Sequence, residues 1–207
     1  MTIPAPLSRV TAALVLALSL SAQATLAAPP VTPVASIEQP REDGVWGTVC
    51  TAFSIDQQRG LFLTAAHCLA ENMTLDGQIA WVVYRNEKLD LAVLESRGAY
   101  RPALKPCAEN AKVGDMVVAV GHAYGLPVLS ARIGHVAIAY AEIPFAQGGT
   151  NFFMVTDFAL IGGMSGGPML GETGCVIAIN QQGNAMTGLG APIEVITAAT
   201  RQFWARP

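Results

Sequence analysis

Ser165 sits in Gly163-Met164-Ser165-Gly166-Gly167, a GxSxG run, and no histidine follows it in the 207-residue chain. That order restricts the fold. A serine on the nucleophile elbow of an open α/β hydrolase is served by an acid and a histidine that come later in the chain. Here His67, His122 and His135 all come earlier, which excludes that architecture. Two upstream runs supply the missing groups: Thr64-Ala65-Ala66-His67-Cys68, and Leu89-Asp90-Leu91-Ala92-Val93-Leu94. In chain order the candidates are histidine, aspartate, serine, whereas the design that runs aspartate, histidine, serine needs its aspartate ahead of the histidine and begins with a parallel βα pattern.

The apolar pattern agrees with an all-β chain. Trp46 to Ile55, Leu61 to Thr64, Ile79 to Tyr84 and Leu91 to Leu94 are short apolar runs, with Gln57-Gln58-Arg59-Gly60 as a hairpin turn. A second set follows at Met116 to Val120, Val128 to Tyr140, Phe152 to Thr156, Pro168 to Leu170, Val176 to Ile179 and Met186 to Leu189, with Gly171-Glu172-Thr173-Gly174 as a tight turn. Many short strands without intervening helices predict β-barrels. After Pro192 the period changes. Ile193, Ile196, Ala199, Thr200 and Phe203 recur at helical spacing, which predicts a C-terminal helix over about 193–204.

The beginning of the chain reads as a targeting segment. Arg9 precedes an apolar stretch from Val10 to Leu20, and Ala22-Gln23-Ala24 offers a small-x-small cleavage site, so residues 1–24 are expected to be a signal peptide. The apolar stretch is too short to prefer a membrane span, and no membrane association is expected once it is removed. Residues 25–44 carry Pro29, Pro30, Pro33 and Pro40 with little periodicity, an expected extended arm. Removing residues 1–24 removes only Arg9 among the charges, so the net charge of −3 becomes −4. With no basic stripe, nucleic acid is not expected as a partner. An exported chain, secreted or periplasmic, with four cysteines implies disulfides in one of three pairings. No CxxC spacing exists, so no metal is expected.

The three runs, with Thr156-Asp157-Phe158-Ala159 ahead of Gly163 to Pro168, resemble the trypsin-like serine peptidases, and more closely the HtrA-group protease domain with its TDxA…GxSGGP. Val113 to Gly121, Gly125 and Arg132-Ile133-Gly134-His135-Val136 are similar to that domain's second-barrel opening. The resemblance runs from about Gly47 to about Gly190. It implies a peptidase domain over 45–207, built of two antiparallel six-stranded β-barrels at about 45–105 and about 110–192, working without a cofactor. It also implies a Cys50–Cys68 bridge that pins the histidine loop and stabilises it by about 3 kcal/mol, and it leaves Cys107 to pair with Cys175. The chain reaches Pro207 without the PDZ module that follows the protease domain in most HtrA-group proteins, so none is expected.

A serine hydroxyl attacks a peptide carbonyl only when a base takes its proton. By resemblance Ser165 is the nucleophile, His67 the base that later protonates the leaving amine, and Asp90 the group that orients the imidazole. Asp43, Asp56, Asp76, Asp115 and Asp157 compete for the last role. Asp90 is preferred because a carboxylate directly before Leu91-Ala92-Val93-Leu94 is drawn partly inside, where it needs a partner. The amides of Gly163 and Ser165 are the implied oxyanion donors. Met164 stands where zymogen-type trypsins carry the aspartate that pairs with a new N-terminus, so activation by such cleavage is not expected. Ala159 replaces the trypsin-type aspartate six positions before the serine, and Asn180 replaces the glutamyl-type histidine fifteen after it. With Leu160 beside them, they imply a pocket for small or medium apolar residues. His122 and His135 read as loop and strand residues. The resulting expectation is an exported serine endopeptidase acting on protein or peptide substrates through an acyl-enzyme. A protease-fold binding protein without turnover is the alternative.

Overall fold

In the computed structural model the described residues are 32–144 and 150–205. The expected signal peptide and the first part of the Pro-rich arm lie outside them. The first β unit comprises β1 (Val34–Pro40), β2 (Trp46–Asp56), β3 (Leu61–Thr64), β4 (Thr74–Leu75), β5 (Gln78–Ile79), β6 (Trp81–Asn86) and β7 (Leu91–Glu95). The second comprises β8 (Met116–Gly121), β9 (Ser130–Pro144), β10 (Thr150–Thr156), β11 (Pro168–Leu170), β12 (Val176–Gly183) and β13 (Gly188–Pro192), followed by the helix α1 (Ile193–Thr200). Every apolar run singled out from Trp46 to Leu189 lies on or overlaps a strand. Among the described residues no helix is long and apolar enough to cross a membrane.

The second unit closes into a six-stranded barrel in the order β10-β13-β12-β11-β8-β9. Strand β8 shows why: Val117, Ala119 and Gly121 point inward and are buried, while Met116, Val118 and Val120 are less so, the two-residue period of a strand with one face on a core. Where the resemblance implied a six-stranded barrel for the first unit, the structure has a seven-stranded sheet, β5-β4-β1-β2-β3-β7-β6.

The extended arm is corrected in its second half. Val34–Pro40 is a central strand of the first sheet, antiparallel to β2 from Val34 opposite Phe53 to Pro40 opposite Trp46, and it also pairs with β4. Val34, Ala35, Ser36 and Ile37 are buried. Of the prolines that make the segment look irregular, Pro33 precedes the strand and Pro40 is its last residue, where a missing N–H does not break the ladder.

One core joins both units. Phe53, Ile55, Leu63, Leu91 and Val93 from the first sheet pack with Val176, Ile179 and Ala191 from the barrel and with Ile193, Ile196 and Trp204 from the C-terminal segment. The helix ends earlier than its apolar spacing suggested, at Thr200, and a single 3₁₀ turn covers Arg201–Phe203. Thr197 and Thr200 turn their hydroxyls onto the carbonyls of Ile193 and Ile196, at 2.8 and 2.7 Å, a back-bonding that competes with regular helix propagation. The tighter turn seats Trp204 against Phe53, with ring centroids 6.4 Å apart.

Candidate active site

Strand register brings His67 and Asp90 together. Thr64 at the end of β3 lies opposite Ala92 in antiparallel β7, so three residues onward from Thr64 and two residues back from Ala92 lead past the same end of the ladder. His67 occupies the 3₁₀ turn Ala66–Cys68, and the Cys50–Cys68 disulfide anchors that turn to β2. Asp90 accepts two hydrogen bonds from the histidine, one from its backbone N–H at 2.9 Å and one from Nδ1 at 2.7 Å. Both bonds hold the ring with Nδ1 as donor and leave Nε2 as the acceptor. The hydrogen bond to Asp90 raises the His67 pKa above its usual 6.5 against the opposing effect of partial burial, and the carboxylate charge adds to the rise.

Asp90 is held in an unusual conformation. Its φ is +51°, in the left-handed region that non-glycine residues occupy mostly where surrounding structure compels it. Gln181 helps compel it, since its buried amide donates to the carbonyls of Leu89 (2.7 Å) and Asp90 (2.9 Å). The same residue touches the serine: the Ser165 hydroxyl donates to the Gln181 backbone carbonyl at 3.3 Å, and not to His67. Catalytic hydrogen bonds are often loose without substrate and tighten in the complex. Gln181 thus links the serine to the histidine–aspartate pair, and nothing in the sequence marks it for that place.

In the loop carrying Ser165 two amides stay unengaged while the carbonyls of the same peptides are held. Among the described residues the N–H groups of Gly163 and Ser165 have no protein acceptor. The carbonyls of their peptides are each held from behind. The Gly162 carbonyl accepts the Tyr124 N–H at 2.7 Å, and the Met164 carbonyl accepts the Gly167 N–H at 3.0 Å and Asn180 Nδ2 at 3.1 Å. Gly163 has φ +93°, and a Cβ there would fall 2.1 Å from the His122 carbonyl. Two N–H groups without a protein acceptor on a backbone so restrained are the candidates for oxyanion donors.

The other aspartates are engaged elsewhere. Asp56 pairs with Arg59, Asp76 with Arg101 and Asp157 with His135, while Asp43 and Asp115 accept backbone N–H groups in their own turns. Asn180 departs from its expected place on a pocket wall. It is fully buried, and its amide spans the carbonyls of Val120 and Met164, so it braces the serine loop instead. Leu160 is partly buried and packs over Gly183 and Gly188, where any Cβ would approach it to about 3 Å or less. Ala159 precedes it with only a methyl side chain. His135 is an exposed strand residue, as expected. His122 is buried against Thr51, and burial pushes its pKa down.

The second disulfide joins Cys107 to Cys175. Among the described residues one group has the proximity of a metal site, Cys50, His67 and Cys68, and its two sulfurs are bonded to each other, leaving a single imidazole. Beside the histidine lies a cavity of about 390 Å³ lined by His67, Asp90, Asn151, Phe153, Gln181 and Gln182.

Known proteins are similar to this chain in sequence and fold. The trypsin-like peptidase domain family matches residues 50–179. The chain is 35% identical over 182 residues to the "Putative serine protease HhoA" of Synechocystis sp., with 79% of this chain and 44% of that protein aligned, so it spans less than half of the relative's length. Among solved structures, the active form of the Rv3671c protease from M. tuberculosis superposes with a TM-score of 0.73 at 23% identity, covering 86% of this chain and 84% of that one. The HtrA-type protease AlgW with a decapeptide superposes with a TM-score of 0.70 at 20% identity, over 84% of this chain and 64% of that one. At that identity the structural likeness speaks for the fold, and the family match over residues 50–179 establishes that the chain belongs to the trypsin-like peptidase family.

Proposed function

We propose that this chain is an exported serine endopeptidase that cleaves protein or peptide substrates through an acyl-enzyme. The observation that carries the reading is the two-point grip of Asp90 on His67, at 2.9 and 2.7 Å, next to a serine loop with two unengaged N–H groups. Ser165 Oγ attacks the scissile carbonyl while His67 Nε2 takes its proton, and Asp90 stabilises the imidazolium that forms. The carbonyl oxygen, now negative, is received by the N–H groups of Gly163 and Ser165. As the tetrahedral intermediate collapses, His67 returns the proton to the leaving amine. Water activated by the same histidine then releases the acyl group and restores Ser165.

Ala159 and Leu160 favour substrates with small or medium apolar residues before the scissile bond. Neither brings a charge to select Lys, Arg or Glu, and Leu160 takes up space over Gly183 and Gly188. Two disulfides suit an oxidising compartment outside the cytoplasm.

The test treats the protein and its Ser165→Ala variant with a serine-directed fluorophosphonate while casein cleavage is followed. Labelling at Ser165 and cleavage that vanishes in the variant are expected. A folded protein that neither labels nor cleaves overturns the reading in favour of a binding protein, and a peptide-library profile dominated by Arg, Lys or Glu overturns the specificity.

A further inference from the structure

Thr51 lies on β2 of the first sheet, is fully buried, and bonds across to the serine loop of the second unit. Its backbone N–H donates to the Ser165 carbonyl at 2.8 Å, and its backbone carbonyl accepts the Thr64 hydroxyl at 2.8 Å. Its side-chain oxygen accepts the His122 backbone N–H at 3.0 Å. That N–H can only donate, so the hydroxyl proton is free to go elsewhere, and the Gly163 carbonyl at 2.7 Å receives it over the more distant His122 Nδ1 at 3.3 Å. There is little slack around these bonds. A Cβ on Gly166 would lie 2.2 Å from the Thr51 carbonyl, and one on Gly121 would lie 3.0 Å from Thr51 Oγ1.

The Gly163 carbonyl belongs to the peptide plane between the two candidate oxyanion donors. The other end of that plane, the Met164 N–H, donates to the Ile161 carbonyl at 3.0 Å. A plane held at both ends fixes the torsions on either side of it, and these torsions set where the Gly163 and Ser165 N–H groups point. Glycine at 163 resists rotation of that plane less than any other residue would, so the carbonyl end depends on the bond from Thr51.

We infer that Thr51 is a positioning residue for the oxyanion hole: its hydroxyl locks the Gly163–Met164 peptide so that both donors face the substrate. The inference rests on the endopeptidase reading above. It also gives His122 a part, because its backbone N–H orients the Thr51 hydroxyl.

Thr51→Val removes the hydroxyl at nearly constant volume, and Thr51→Ser restores it. The valine protein is expected to lose about 10- to 100-fold in kcat, up to the loss of one oxyanion donor, with KM within about twofold. Its affinity for a peptidyl boronic acid, which forms a tetrahedral adduct on Ser165, is expected to fall by the same factor as kcat. The serine protein is expected to stay within about threefold of the parent. A purely structural role for Thr51 would lower the unfolding midpoint without separating kcat from KM. Wild-type kcat in Thr51→Val, or equal losses in the valine and serine proteins, overturns the inference. If the valine protein does not fold, Thr51→Ala carries the same expectations. If neither folds while Thr51→Ser does, the hydroxyl serves folding and the positioning role is refuted. A parent protein that neither labels at Ser165 nor turns over refutes the endopeptidase reading and this role together, whereas an active parent with an unaltered valine variant refutes this role alone.

Discussion

Replacing Gly163 by alanine attacks the candidate oxyanion hole with the least chemical change. At φ +93° an L side chain is strained, and the new Cβ would lie 2.1 Å from the His122 carbonyl oxygen and 2.9 Å from the Gly125 nitrogen. Restoring the first contact to 3.0 Å, below which Cβ contacts essentially do not occur, requires the backbone to move by about 0.9 Å. Oxyanion donors act from about 2.7–3.1 Å, so a displacement of that size takes the Gly163 N–H out of range. Loss of one donor costs about 10²–10³ in kcat, or about 2.7–4 kcal/mol. The left-handed backbone adds about 1–2 kcal/mol of destabilisation, which lowers the unfolding midpoint by several degrees without unfolding the protein at assay temperature. The assay is steady-state hydrolysis of a peptide anilide, alongside thermal unfolding. Gly162→Ala is the matched control, because a Cβ at Gly162 meets nothing within 4 Å, and it is expected to keep near-parental kcat. A folded Gly163→Ala protein with kcat within about threefold of the parent would refute the assignment of this amide as an oxyanion donor.

Two other perturbations follow from the site. In Asp90→Asn, kcat is expected to fall by about 10⁴, and the acid limb of kcat/KM to move. Asp90 raises the His67 pKa above 6.5, so neutral imidazole accumulates only above that pH in the parent; without the carboxylate the limb shifts to lower pH, and a limb that stays in place would contradict the pairing. In the double variant Cys50→Ala with Cys68→Ala, the 18-residue separation corresponds to about 3 kcal/mol of lost stability by loop entropy, measured by denaturant unfolding. Turnover is expected to fall while the protein is still folded, since Cys68 adjoins His67, and unchanged turnover would show that the bridge does not hold the histidine turn.

Much of the candidate site was legible because its residues lie in locally distinctive runs. His67 and Cys68 follow the apolar strand β3, Asp90 precedes the apolar strand β7, and Ser165 is surrounded by glycines. Asn180 was misread for a local reason. The ladder between β12 and β13 shifts register between Asn180 and Gln182, and such a bulge breaks the alternation of side chains. Strand β12 is already buried without alternation from Val176 to Gln181, so Asn180 and Gln181 both lie inside, where spacing from Ser165 predicts only a position and not a direction. Strand β1 was missed because its four buried residues lie between prolines, and their strand character comes from pairing with β2 and β4.

The order of histidine, aspartate and serine, the β-rich pattern and the cysteine set are properties of the chain, since each depends on residue type and short-range spacing. The orientation of the serine loop is a property of the folded whole. The Thr51 hydroxyl and the Gly163 carbonyl are 112 residues apart, and the Gln181 amide and the Asp90 carbonyl are 91 apart. Hydrogen bonds across such separations leave no periodic trace in the sequence, because they form only once two β units have packed on a common core and excluded water from between them.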